Sequence, residues 1–186
     1  MRITDPNFFT VDAVELAQKL LGKILVRKIN DQIIKVKIVE TEAYMGLTDR
    51  ACHSYQTNRP RKKAAALYNR GGCVYVFLIY YRYYCFNISS SWVGDPQGVL
   101  IRAVEPLDHH TIPVISHHDK KKKQHYHTNG PGKLCRALQI DLSLNHLDLT
   151  TNNLIYLEDQ PLLTAEAIIA TARINIDYAK EDKDHL

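Results

Sequence analysis

Apolar and polar positions along this chain follow two periods, and the switch between them marks out its elements. Near the N-terminus Ala13, Val14, Leu16, Ala17, Leu20 and Leu21 recur at helical spacing. They predict an amphipathic helix with Thr10 as its N-cap and Gly22 as its stop. From Lys23 the period falls to two. Residues 23–28 and 32–44 read as strands, and Ile29, Asn30 and Asp31 between them as the turn of a hairpin. Further strands are predicted over 73–80, 83–90 and 99–104, with Gly94, Asp95, Pro96 and Gly98 turning the chain before the last. Asn129, Gly130, Pro131 and Gly132 then break the chain ahead of a helical stretch over 133–138, and two shorter segments follow. A β-rich centre flanked by helices is the expected architecture.

Length narrows this picture. With 186 residues, 45% of them apolar, the chain can bury one core without a disulfide or metal staple, so a single domain over 1–186 is expected. Its longest apolar run is nine residues, Cys73 to Tyr81, against about 20 for a membrane-spanning helix. The start (Met1, Arg2, Ile3, Thr4, Asp5, Pro6) lacks the apolar stretch of a signal peptide, so an intracellular location, cytoplasmic or nucleoid/nuclear, and no membrane partner are expected. Cys52, Cys73, Cys85 and Cys135 have no close-paired spacing and read as buried free thiols.

The formal net charge of +4 says little, but its distribution does. Arg50, Arg59, Arg61, Lys62, Lys63, Arg70 and Arg82 lie in a stretch up to Gly94 that holds no Asp or Glu. From Leu134 onward nine acids face four cations. A polyanion would therefore meet the middle of the chain, where Arg59, Arg61, Lys62, Lys63 and Arg82 are the candidates for a nucleic-acid backbone. Tyr75, Phe77, Tyr80, Tyr81, Tyr83, Tyr84 and Phe86 crowd the same region. Such a run suits base stacking, and it equally suits a packed strand. Between about 108 and 128 lie Lys120 to Lys123 and six of the nine histidines, which read as an inserted loop. A metal-binding protein is the alternative there, but adjacent histidine pairs lack the fixed spacing of a tetrahedral site, so no metal is expected.

The second strand places Ile34, Val36, Ile38, Glu40, Glu42 and Tyr44 at even positions, so strand geometry turns both glutamates inward with the apolar face. An inward carboxylate must be paired, hydrogen-bonded or used, and a salt bridge to Arg102 and a catalytic role are both open.

The residues around Glu42, Ile38 to Tyr44 (IVETEAY) followed by Asp49 and His53, resemble the alkyladenine (3-methyladenine) DNA glycosylase family. Leu16 to Arg27 (LAQKLLGKILVR), Val74 to Tyr80 with Asn87, Ile88 and Ser89, Val99 to Pro106 (VLIRAVEP) and Asn129 to Leu134 (NGPGKL) resemble its other segments in the same order. The resemblance implies an α+β fold, a single domain with a curved antiparallel sheet, surrounding helices and a DNA-inserting β-hairpin. It implies that Glu42 activates water with Arg102 helping to hold it, that Tyr44, His53 and Phe77 line a pocket for a flipped base, and that Leu100 borders it. Asn87 would lie at the pocket floor, rejecting the amino group of normal guanine, and Tyr80 would be the wedge that fills the vacated space. The implied enzyme is a monofunctional hydrolase without cofactor, a monomer acting on double-stranded DNA containing damaged purines. A non-catalytic binder of distorted DNA is the alternative. The chain departs from the family pattern in having Phe77 for a tyrosine, Tyr81 and Arg82 after the wedge in place of a glycine, a longer loop, and a charged tail over about 179–186.

Overall fold

Asp12, not Thr10, starts the first helix. Its side chain accepts from the Glu15 N–H at 2.9 Å, and its charge suits the helix N-terminus, whereas the Thr10 hydroxyl turns back to the Asn7 carbonyl. Helix α1 (Ala13–Leu20) buries Ala13, Leu16, Ala17 and Leu20 and ends one residue before Leu21, with Gly22 at φ +78° turning the chain into the sheet. The computed structural model describes residues 1–57, 62–107, 128–161, 167–174 and 176–184, the side chains of 183 and 184 aside.

Strands β1 (Ile24–Ile29), β2 (Gln32–Tyr44), β3 (Val74–Ile79), β4 (Tyr83–Ser90), β5 (Gln97–Pro106) and β6 (Ile155–Glu158) form one curled antiparallel sheet in the order β3-β4-β5-β2-β1-β6. The α+β expectation holds. β5 is longer at both ends than the pattern over 99–104 predicts, because it pairs with β2 on one edge and β4 on the other. α1 and the sheet face it covers make the main core, with Phe9, Leu16, Leu20, Leu25, Ile34, Ile38, Phe86, Ile88 and Ile101 essentially fully buried. Each such side chain is worth about 1.5–3 kcal/mol relative to exposure.

The simple alternation expected along β2 is broken. Register runs Ile38 to Val104, Glu40 to Ala103 and Thr41 to Ile101, so Val39 has no partner on β5 and Arg102 none on β2. Two compensating bulges reverse the parity of both strands. Before them Ile34, Val36 and Ile38 face the core; after them Ala43 packs against that core and Thr41 bonds the Ala17 carbonyl of α1 at 3.1 Å. Glu42 and Tyr44 therefore leave the face that Ile34, Val36 and Ile38 occupy and point to the other side of the sheet, with Leu100 and Arg102 of β5. The inward turn of Glu42 with the apolar face is thereby corrected. Glu42 is buried, but beneath a different layer.

That layer comes from elsewhere in the chain. A 3-10 helix (Lys62–Tyr68) buries Ala64, Ala66 and Leu67 beside Cys52, Cys73 and Tyr75. Helix α2 (Pro131–Ala137) begins two residues before the predicted 133, as a proline in the first turn permits. It lies so close to β4 that a Cβ on Gly132 would meet the Tyr83 side chain at 3.0 Å. The expected charged tail carries 3-10 turns over Asp177–Asp184, broken by a kink at Lys180 (φ +56°); Ala179 is fully buried, Glu181 accepts from the Arg50 guanidinium and Asp182 from the Arg50 main-chain N–H, both at 2.8 Å. The four cysteines are free and buried. Among the described residues no helix is long and apolar enough to cross a membrane. The lysine- and histidine-rich segment, apart from Thr128, lies outside the described residues.

Candidate active site

Antiparallel pairing sets opposite residues on one face. Tyr75 pairs with Asn87, Asn87 with Leu100, and Leu100 with Glu42, which makes one row across β3, β4, β5 and β2. Phe77, Arg102 and Tyr44 stand two residues further along their strands, on the same face. All of them, with His53 from the loop after β2, line a cavity of about 730 Å³. Every sequence-predicted residue for the base pocket is thus in one place.

Glu42 sits at the wall with both oxygens occupied. Oε2 accepts from the Tyr44 hydroxyl at 2.9 Å; Oε1 accepts from Arg102 Nη1 at 3.1 Å and from the Ile174 N–H at 2.9 Å. Arg102 Nε also donates to Glu40 Oε1 at 3.0 Å, so the salt bridge weighed from sequence exists and takes in both glutamates. Glu40 is the solvent-facing partner, its side chain 46% exposed against 6% for Glu42. Burial first, then the charge and hydrogen bond of Glu42, push the Tyr44 hydroxyl well above its ordinary value, which keeps it a donor.

The aromatic wall is interlocked. His53 Nδ1 and the Tyr75 hydroxyl are 2.7 Å apart, and the His53 ring meets Phe77 edge-on with centroids 4.5 Å apart. Tyr75, only 2% exposed, tilts against Phe77 at 5.4 Å. Its role as the partner of His53 was missed from sequence, although its i, i+2 spacing from Phe77 is the signal that places both on one face. Asn87 Nδ2 donates to the carbonyls of Tyr75 (3.2 Å) and Cys85 (3.4 Å), holding the amide against the sheet.

Asp49 and Arg173 brace this wall from behind. Their two hydrogen bonds of 2.6 and 3.1 Å are joined by Arg173 bonds to the Ala43 and Asp182 carbonyls, and the guanidinium lies 5.0 Å over the Tyr44 ring. Arg173 therefore positions Tyr44 from its ring side and, through its neighbour Ile174, adds a main-chain donor to Glu42. No local pattern announces either interaction.

At the mouth, Tyr80 and Tyr81 form the tip of the β3–β4 hairpin, and Tyr80 is 78% exposed yet still part of the cavity wall. Of the backbone candidates, Lys62, Lys63 and Arg82 are exposed, while Arg59 and Arg61 lie outside the described residues. The guanidinium of Arg50, counted in the basic stretch, pairs with Glu181 at 2.8 Å. Lys133 and Arg136 of α2 also line the mouth. Regional charge counting missed them, because both lie downstream of the basic stretch, Arg136 within the acidic part that begins at Leu134.

Comparison with known proteins identifies the family. A family model described as methylpurine-DNA glycosylase matches residues 7–185. A Natranaerobius thermophilus protein is 43% identical over 182 residues, 98% of this chain and 91% of the relative. One from Borrelia garinii subsp. bavariensis is 44% identical over 178 residues (96% and 89%), and one from Clostridium botulinum strain Loch Maree 43% over 194 (100% and 93%). Each of the three bears the name "Putative 3-methyladenine DNA glycosylase". With a family model spanning nearly its whole length and relatives this similar end to end, the chain belongs to the methylpurine-DNA glycosylase family.

Proposed function

We propose that this protein is a monofunctional DNA repair glycosylase that hydrolyses the N-glycosidic bond of alkylated or deaminated purines turned out of duplex DNA. The observation that carries the reading is Glu42, a carboxylate held by three donors on the wall of an aromatic-lined cavity. Extruding a base costs a few kcal/mol, least for a damaged or mispaired one. Stacking at about 1–3 kcal/mol per base against Tyr44, His53 and Phe77 offsets that cost. A purine alkylated at N3 or N7 is cationic, and an aromatic wall favours a cation by about 0.5–2 kcal/mol. Asn87, fixed to the sheet, gives the pocket floor its bulk.

Glu42 takes a proton from water as the oxygen bonds to C1′ of an oxocarbenium-like sugar, and Arg102 orients that water. The C1′–N bond breaks with its electron pair going to the base, so a cationic lesion departs neutral. Tyr80 fills the gap left in the helix, and Lys62, Lys63 and Arg82 meet the phosphates. The protein works as a monomer, inside the cell where the chromosome lies. The test is Glu42→Gln on duplexes carrying 7-methylguanine or hypoxanthine, read as alkali-sensitive sites in single turnover. Lesion binding should persist while base release falls by about 10²–10⁴-fold. Undiminished release would remove Glu42 from the chemistry, and binding without release in the unaltered protein would leave only a damage binder.

A further inference from the structure

Two residues in succession at the hairpin tip occupy the left-handed region, Tyr80 at φ +51° and Tyr81 at φ +53°, in a turn closed by the Arg82 N–H on the Ile79 carbonyl at 3.1 Å. A side chain with a Cβ is strained there, whereas glycine is not. Packing in the free protein does nothing to offset this at Tyr81, whose side chain is 99% exposed. Strain of this kind persists where function holds it. Tyr80 belongs to the cavity wall; Tyr81, one step further round the turn, lies outside that wall and next to the exposed Arg82.

We propose that Tyr81 is a second DNA-contacting ring, which stacks on the partner-strand base left without its pair when the damaged purine is turned out. This inference rests on the reading above, in which Tyr80 fills the vacated position. An orphaned base offers a free aromatic face, and any of the four bases can be stacked on in this way. Arg82, beside Tyr81, meets the phosphate of the same strand. Two rings on adjacent turn residues then engage the two strands, one on each side of the opened pair.

The experiment uses a duplex carrying a tetrahydrofuran abasic analogue opposite 2-aminopurine, whose fluorescence is quenched when a ring stacks on it. The unaltered protein and Tyr81→Phe should bind alike and quench. Tyr81→Gly should bind about tenfold more weakly and leave the fluorophore brighter, while its Tm rises by about 2–4 °C as the left-handed strain is released. Unchanged binding and quenching by Tyr81→Gly would overturn the proposal. Tyr80→Ala separates this failure from that of the underlying reading. If it also binds normally, the hairpin is not the inserting element; if it alone weakens binding, only the second ring is lost.

Discussion

Tyr44 serves the cavity with two different parts of one side chain. Its hydroxyl donates to Glu42, and its ring forms cavity wall on one side and carries the Arg173 guanidinium on another. Tyr44→Phe removes only the hydroxyl. Lesion binding should stay within about threefold while base release falls by about 10–100-fold, since one charge-assisted hydrogen bond to Glu42 is worth about 1.5–3 kcal/mol. Single-turnover rates beside equilibrium binding would show the split, and equal loss in both would assign Tyr44 to binding alone. Glu42 and Tyr44 were legible as a pair two residues apart on one strand, and Arg102 through the segment VLIRAVEP that carries the family resemblance. Arg173 was not: it meets Asp49 across 124 residues of chain, and nothing near either residue signals the other.

Strand identity was legible and strand parity was not. A period of two located β2 to the residue and β4 likewise, because long alternating runs between turn residues leave few alternatives. The same period cannot reveal an unpaired residue, since a bulge leaves the alternation of residue types nearly intact while turning every later side chain to the opposite face. Deleting Val39 sets Ile38, Thr41 and Ala43 at regular strand spacing, so Glu42 and Tyr44 should stay on the cavity side, while the unpaired Arg102 of β5 loses its counterpart. The expected result is a Tm lower by several degrees with base release well above that of Glu42→Gln, measured by thermal melts and single-turnover assay. Release as low as in Glu42→Gln would mean that the extra residue does more than set the parity of the strand.

Across the whole molecule, the sign of the basic middle was readable, but its membership changed once the chain folded. The Arg50 guanidinium pairs with Glu181 of the C-terminal segment, and Lys133 and Arg136 of α2 join from downstream of the basic stretch. Binding to DNA should weaken linearly with log salt concentration. Replacing Lys62, Lys63 or Arg82 by alanine should flatten that slope by about 0.9 for each phosphate that the side chain had neutralised. An unaltered slope would exclude the residue from the interface. The buried thiols set an alkaline limit: burial pushes Cys85 up to about 11 and raises Cys52, Cys73 and Cys135 as well. The unfolded chain then ionises first, so stability should hold up to about pH 8.5 and fall as pH climbs through the folded values, as melts between pH 7 and 11 would record. The donor that Ile174 gives to Glu42 comes from 132 residues downstream, after every strand of the sheet has been made. The surroundings of Glu42 are therefore completed only by the C-terminal segment: a chain stopping short of Arg173 lacks both the Ile174 donor and the guanidinium that lies over Tyr44.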